Sequence, residues 1–330
     1  MERRRIGSTD LELSVIGVGG AWLGHDPNDP SEVERAAAVM QAANECGVNW
    51  VDTSENYFDT GNEAVIGPAL RSMPESFQVC SKVAPGAVHS GGASGFRPEQ
   101  VRQACEDSLR RLRRDHLDVY LLHWPDRTGV PLADTWGAMA ALVDAGHARA
   151  IGLSNYSRDD VARCHEQRPV DVIQDGLNLI DHLDNRDMIA WCGERGIAVT
   201  IFEPLASGAL TDTPFEQVRA RWAGGPWDDV TVCPGLLSPE NADAIQQVTE
   251  GLRAVGDRVG ETVADLAIAW VLRQPGVTSA IVGSSNPQRA RSNGHAADIH
   301  LDDDEFRAIE NLIALGPAFK PGRGDKGVMG

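Results

Sequence analysis

No stretch of this chain approaches the ~18–20 continuous apolar residues needed to cross a bilayer. Its first residues, Met1-Glu2-Arg3-Arg4-Arg5-Ile6-Gly7, have no apolar segment behind the arginines. Neither membrane insertion nor export is expected, and the cytoplasm is the expected compartment. Positive charge is also short: 30 Lys and Arg stand against 48 Asp and Glu, giving a net charge of −18 and a pI of about 4.8. That balance repels polyanions, so nucleic acid and anionic membrane are not expected partners. An anionic ligand would have to be held by local donors against the global field. The six cysteines (46, 80, 105, 164, 192 and 233) include no Cys-x-x-Cys pair. Most sit in apolar contexts, which argues against a disulfide framework and for a reducing environment. Histidines such as His89, His116, His165, His182 and His295 show no paired ligand spacing at one strand end, so no metal is expected.

What the chain does have is alternation. Continuous apolar runs suited to strands buried on both faces occur at Val15–Gly19, Asn49–Thr53, Phe77–Val83, Leu117–Trp124, Ala148–Ser154, Val170–Leu177, Ala198–Leu205 and Ser279–Gly283. Helix-period segments lie between them, at 63–71, 98–112, 132–144, 158–166, 186–194 and 287–296, with two more at 241–255 and 262–273. The first helix is predicted from Glu32, capped by Ser31 with Glu34 completing the capping box. Eight β-then-α units in 330 residues predict an α/β fold, a single-domain (β/α)8 TIM barrel spanning 1–330. A doubly wound open sheet is the architectural alternative. Arg3–Arg5 and Glu12–Ser14 predict an N-terminal β-hairpin closing the barrel bottom. An extra C-terminal helix follows Asp302, and 320–330 reads as a flexible tail.

In a barrel of this type, reactive groups are expected at the C-terminal ends of the strands. The strand ends read Val51-Asp52-Thr53-Ser54-Glu55-Asn56-Tyr57, Cys80-Ser81-Lys82-Val83, Leu121-Leu122-His123-Trp124-Pro125 and Gly152-Leu153-Ser154-Asn155, with Gln174 on the sixth strand. Taken singly, the acid would be a turn residue, the lysine a solvated group and the histidine a core residue. Together they bring an acid, a phenol, an ammonium and an imidazole to one face.

With Pro204-Leu205-Ala206-Ser207-Gly208, these stretches resemble the aldo-keto reductases in order and spacing, from about Ile6 to Ile313. The resemblance implies a catalytic set of Asp52, Tyr57, Lys82 and His123. It implies hydride transfer from NADPH to the carbonyl of an aldehyde, ketone or keto-sugar, with Tyr57 as proton donor; NADH is the less favoured cofactor. A free phenol has a pKa of about 10, and a neighbouring Lys82 is expected to lower it. Asp52 would keep Lys82 charged, and His123 as a neutral donor would aim the carbonyl oxygen.

The resemblance also assigns the cofactor. Ser154, Asn155 and Gln174 fall at carboxamide-binding positions and Phe202 at the place of a stacking aromatic. Leu205, Ser207, Gly208 and Leu210 fall at the pyrophosphate loop. Gly283, Ser284, Ser285, Arg289 and Asn293 fall at the adenosine end, with Arg289 matching a 2′-phosphate contact. Trp22, Phe58 and Trp124 are expected to line the substrate pocket, and the loop carrying Trp222 and Trp227 could cover it. The chain departs from the family pattern at Phe58, where glycine is usual, at Glu203, where serine is common, and at Gly283 and Ser292. A cofactor-binding regulatory or channel-associated barrel with little turnover is the alternative reading. The partner is a small-molecule carbonyl compound, and the oligomeric state is not readable.

Overall fold

A run buried on both faces cannot end a sheet at an open edge without stranding its backbone polar groups, and a closed parallel barrel removes every edge. The computed structural model, which describes residues 1–85, 95–126, 128–180, 185–222 and 236–316, takes that solution. Strands β1 (Arg3–Arg5) and β2 (Glu12–Ser14) form an antiparallel hairpin. The barrel follows as β3 (Ile16–Gly19), β4 (Trp50–Asp52), β5 (Gln78–Val83), β6 (Leu117–Leu122), β7 (Ala148–Ser154), β8 (Val172–Gly176), β9 (Ala198–Phe202) and β10 (Ser279–Gly283). All eight are parallel, in chain order, and β10 closes on β3 with Gly283 opposite Gly19. The open-sheet alternative is thereby excluded.

The outer layer contains α1 (Pro30–Glu45), α2 (Gly61–Ala69), α3 (Pro98–Leu112), α4 (Leu132–Asp144), α5 (Arg158–Gln167), α6 (Arg186–Gly193), α7 (Phe215–Trp222), α8 (Ala242–Val259), α9 (Val263–Leu272) and α10 (Pro287–His295), with α11 (Asp303–Leu312) as the extra C-terminal helix. Two details differ from the sequence reading. Asp29, not Ser31, caps α1, accepting the Ser31 amide and leaving Pro30 at the first helical position, where its missing N–H costs nothing. The Glu32 carboxylate instead reaches back to the amides of His25 and Asp26. Helix α7 was not anticipated. Only Val218 of its residues is buried, so it has almost no apolar face to betray it in sequence.

The strand period of two sorts side chains into two cores. Outward positions such as Val51, Val79, Tyr120, Ile151, Ile173 and Val199 pack with the helices. Inward positions Trp50, Cys80, Val119, Leu121, Ala150, Val172, Ala198 and Ile281 form a separate cluster that includes Ile6, Leu11 and Leu13 of the hairpin. The hairpin thus plugs the N-terminal end of the barrel, as expected. Among the described residues no helix is long and apolar enough to cross a membrane. Trp227, His89, His182, Cys233 and the 320–330 tail fall outside the described residues.

Candidate active site

Continuing each inward row by two residues toward the C-terminal end explains where the polar groups converge. From Trp50 the next inward position is Asp52; from Cys80 it is Lys82; from Leu121, His123; from Val172, Gln174; from Ala198 through Thr200, Phe202. The hairpin plugs one end of the barrel interior, and these side chains close the other.

Lys82 and Asp52 are both withdrawn from solvent. Lys82 Nζ donates to Asp52 Oδ2 at 2.7 Å, to the Thr53 carbonyl at 2.8 Å and to the Tyr57 hydroxyl at 3.3 Å. An ammonium has three N–H groups, and all three are used. Because Tyr57 accepts from Lys82, its own proton is left for a different acceptor. Asp52 Oδ1 accepts from Gln174 Nε2 at 2.8 Å. Gln174 therefore braces Asp52, a role the sequence reading did not include, and that bond commits one side of its amide.

Two further residues escaped that reading. Ser54 Oγ, fully buried, lies 2.9 Å from His123 Nδ1 and 2.6 Å from Asn56 Oδ1. The imidazole stacks on Trp124, with ring centroids 3.6 Å apart, and meets the Tyr57 ring edge-on at 5.7 Å. Tyr156 holds the Trp124 carbonyl through its hydroxyl at 3.0 Å. Ser54 and Asn56 sit inside the quoted motif, but nothing in the linear pattern says which neighbour each would reach.

Burial acts differently on the two titrating groups. Packing around the Tyr57 hydroxyl pushes its pKa above the usual phenol value; Lys82 pulls it down, Asp52 pushes it up, and the net direction is upward. This corrects the expectation that Lys82 lowers it: the ammonium does act in that sense, but desolvation of the phenolate outweighs it. For Lys82, burial favours the neutral amine, yet the attraction of Asp52, with Tyr57 and Cys80, more than reverses this and holds it protonated. Burial and Asp52 likewise keep Cys80 a thiol.

The positions expected to hold the cofactor gather along the rim from β7 to β10. Asn155, in a left-handed conformation, donates its side-chain amide to the His123 carbonyl and to Ser154 Oγ. Phe202 is half-buried above the inner cluster, so one part of its ring remains open. In the loop after β9, Ala206, Ser207 and Gly208 take positive φ in succession. The amides of 206, 208, 209 and 210 bond to carbonyls at 203, 205, 206 and 205. The expected backbone cradle is therefore largely spent within the loop at Gly208 and Leu210. Ser207 Oγ donates to Glu203, so that carboxylate is held by the loop's own hydroxyl. At the other side Asn286 caps α10, Ser284 Oγ bonds the Asn286 carbonyl, and Ser285 is exposed. Arg289 is exposed in the first turn of α10, with no ion pair among the described residues, and Asn293 lies one turn further on. With no ion pair to Arg289 among the described residues, its guanidinium and the exposed Ser285 hydroxyl at a helix N-terminus are a donor set that suits a phosphate ester.

The three pocket candidates separate. Trp124 is beside His123. Phe58 stacks on His25 at 4.9 Å. Trp22, 45% exposed, lies against Gly283, where a Cβ would stand 2.7 Å from its ring, and packs edge-to-face on Trp222 at 5.4 Å. Trp222 in turn donates to the Ser207 carbonyl at 3.0 Å. Trp22 thus lies on the side of the rim formed by Gly283 and the loop after β9, and Gly283 is needed there to admit it.

The Aldo/keto reductase family model matches residues 15–314. The chain belongs to that family. As an aldo/keto reductase it is an oxidoreductase of carbonyl groups that uses a nicotinamide cofactor. It is 28% identical to the NADH-specific methylglyoxal reductase of Escherichia coli strain K12, over 94% of this chain and 98% of that one. Its fold is similar to that of a glycerol dehydrogenase from Gluconobacter oxydans, with TM-score 0.81, 26% identity and coverage of 97% and 98%. An aldo/keto reductase from Klebsiella pneumoniae, solved with NADP and acetate, matches at TM-score 0.70 and 27% identity over 96% and 98%.

Proposed function

We propose that this aldo/keto reductase acts as a single-domain cytoplasmic enzyme reducing an aldehyde, ketone or keto-sugar with NADPH, Tyr57 protonating the nascent alkoxide. The observation that carries the reading is the Asp52–Lys82–Tyr57 chain, with Lys82 Nζ at 2.7 Å and 3.3 Å from its two partners. Lys82 stabilises the phenolate left when Tyr57 gives up its proton, and Asp52 holds Lys82 charged and in place. His123 orients the carbonyl oxygen and faces its developing charge. The bound dinucleotide supplies the hydride. Phe202 would pack on its nicotinamide and Ser154, Asn155 and Gln174 would face the carboxamide. Leu205, Ser207, Gly208 and Leu210 would border the pyrophosphate, and Gly283, Ser284, Ser285, Arg289 and Asn293 the adenosine end. Trp124 and Phe58 border the substrate.

Two relatives point to opposite cofactors, one named as NADH-specific and one solved with NADP. The exposed Arg289, which has no ion pair among the described residues, favours NADPH, because in a chain of net charge −18 a guanidinium at a helix N-terminus is where a 2′-phosphate is best held. The test is loss of NADPH absorbance with a panel of carbonyl compounds. Tyr57→Phe should abolish turnover and leave NADPH affinity nearly unchanged. Tight NADPH binding with no turnover on any carbonyl would replace this reading with that of a binding protein.

A further inference from the structure

We infer that Asn62 is a positioning residue: it holds the turn that carries Trp22 against the end of β4, and through Trp22 it sets where the loop after β9 stands. Its effect on cofactor binding rests on the proposed reading in which that loop borders the dinucleotide.

The Asn62 side chain is fully buried at the start of α2. Its Nδ2 donates to the Gly20 carbonyl at 2.9 Å and to the Gly24 carbonyl at 2.7 Å, while its Oδ1 accepts from Thr53 Oγ1 at 2.7 Å. Carbonyl oxygens only accept, so the two glycines fix which end of the amide carries the N–H groups, and both of those groups are used. The backbone amide of Asn62 adds a bond to the Tyr57 carbonyl at 3.3 Å. Thr53, the other partner, is the residue whose carbonyl accepts from Lys82. One residue thus joins the turn at 20–24 to the segment that holds both Lys82 and Tyr57.

Gly20 and Gly24 are the two ends of the turn that carries Trp22. The turn is drawn in closely: a Cβ on Gly20 would stand 2.4 Å from the Asp52 carbonyl oxygen, and one on Gly61, next to Asn62, 2.1 Å from that of His25. Trp22 itself is 45% exposed and lies on Gly283, which has no side chain to grip it. Its position is therefore set by its turn more than by burial. From Trp22 the contact continues edge-to-face to Trp222 at 5.4 Å, and Trp222 donates to the Ser207 carbonyl at 3.0 Å. Asn62 touches neither substrate nor cofactor, and it acts on the loop after β9 by way of the two tryptophans.

Fluorine NMR of protein grown with 5-fluorotryptophan reads the turn directly, with the Trp22 signal, among eight tryptophans, assigned by its loss in Trp22→Phe. In Asn62→Ala that signal should shift or broaden. The signals of Trp136 and Trp270, buried on α4 and α9, should stay in place and show that the fold is kept. Thr53→Val removes the bond to Oδ1 and spares both Nδ2 bonds, so it should move the Trp22 signal much less. If Asn62→Ala does not fold, Asn62→Ser, which keeps one donor, gives the same comparison at lower amplitude. In turnover, Asn62→Ala should raise the KM for NADPH by about fivefold, a larger change than its effect on kcat. Made in a Trp22→Ala background, the same replacement should alter that KM by less than about twofold, because its route is gone. A Trp22 signal that stays put in Asn62→Ala, or moves as far in Thr53→Val, overturns the proposal, as do KM effects that multiply in the double variant. The NMR result needs no substrate. A chain that reduces no carbonyl would fail the proposed function and leave the role of Asn62 standing, while an unmoved Trp22 in an enzyme silenced by Tyr57→Phe fails the role of Asn62 alone.

Discussion

Lys82 Nζ sits 2.7 Å from Asp52 Oδ2 in a place solvent does not reach. Two strands separate in sequence by 30 residues are tied at the barrel mouth by this pair, and the contacts to Tyr57, Thr53 and Gln174 are built around it. Removing one partner leaves the other charged and buried. Lys82→Met should therefore lower stability in urea unfolding by about 3–5 kcal/mol. Pairing it with Asp52→Asn should recover part of that loss. Equal stability of the single and double variants would mean that Asp52 is not left stranded.

The pH dependence of stability follows with a definite sign. Lys82 and Tyr57 both have folded pKa values raised above their unfolded ones. Their contribution is complete below about pH 10, where both are protonated in either state, and is lost as pH climbs through the folded values, because the folded state then holds more protons than the unfolded one. Urea midpoints measured from pH 8 to 11 should fall toward the alkaline end. Buried Cys80, Cys105, Cys164, Cys192, Tyr120 and Tyr156, all raised by burial, add to the fall, so Tyr57→Phe should reduce it in part and not remove it.

Turnover should show the same phenol. Reduction needs the protonated form, so its rate should hold steady through neutral pH and fall only on the alkaline side. Alcohol oxidation, which needs the phenolate, should rise over that same alkaline range. Replacing Lys82 by Met removes the one influence that lowers the Tyr57 pKa, and the alkaline limb should move upward. A reduction rate already halved between pH 7 and 8 by Tyr57 ionisation would contradict the raised pKa.

Arg289 is exposed, so its replacement should cost little stability, within about 0.5 kcal/mol. Arg289→Gln should nevertheless raise the KM for NADPH by about tenfold or more and leave that for NADH nearly unchanged, the loss of one charge-assisted contact. Equal effects on both cofactors would remove Arg289 from the 2′-phosphate role.

Phe58, Asp59 and Thr60 take positive φ in succession directly after Tyr57. A left-handed conformation costs a residue with a Cβ about 1–2 kcal/mol. In most settings alanine is the more stabilising of the two small residues. Here Phe58→Gly should be more stable than Phe58→Ala by about 1 kcal/mol, both having lost the stack on His25. The usual order, with alanine ahead, would show that this turn carries no strain.

Apolar runs and their period pointed to a parallel sheet covered by helices, because burial on both faces calls for continuous Val, Ile and Leu; that the eight strands close, with β10 on β3, was decided in three dimensions. The inward parity that aligns Asp52, Lys82, His123, Gln174 and Phe202 could be counted from the chain as well. What could not be counted was which hydrogen bond each group makes once gathered. Gln174 on Asp52, Ser54 on His123 and Trp22 on Gly283 join residues 122, 69 and 261 positions apart. The upward shift of Tyr57 came likewise from a balance of burial against charge that exists only in three dimensions. Local pattern determines which face a side chain takes, since that depends on its own strand; its partners depend on where seven other strands have put theirs.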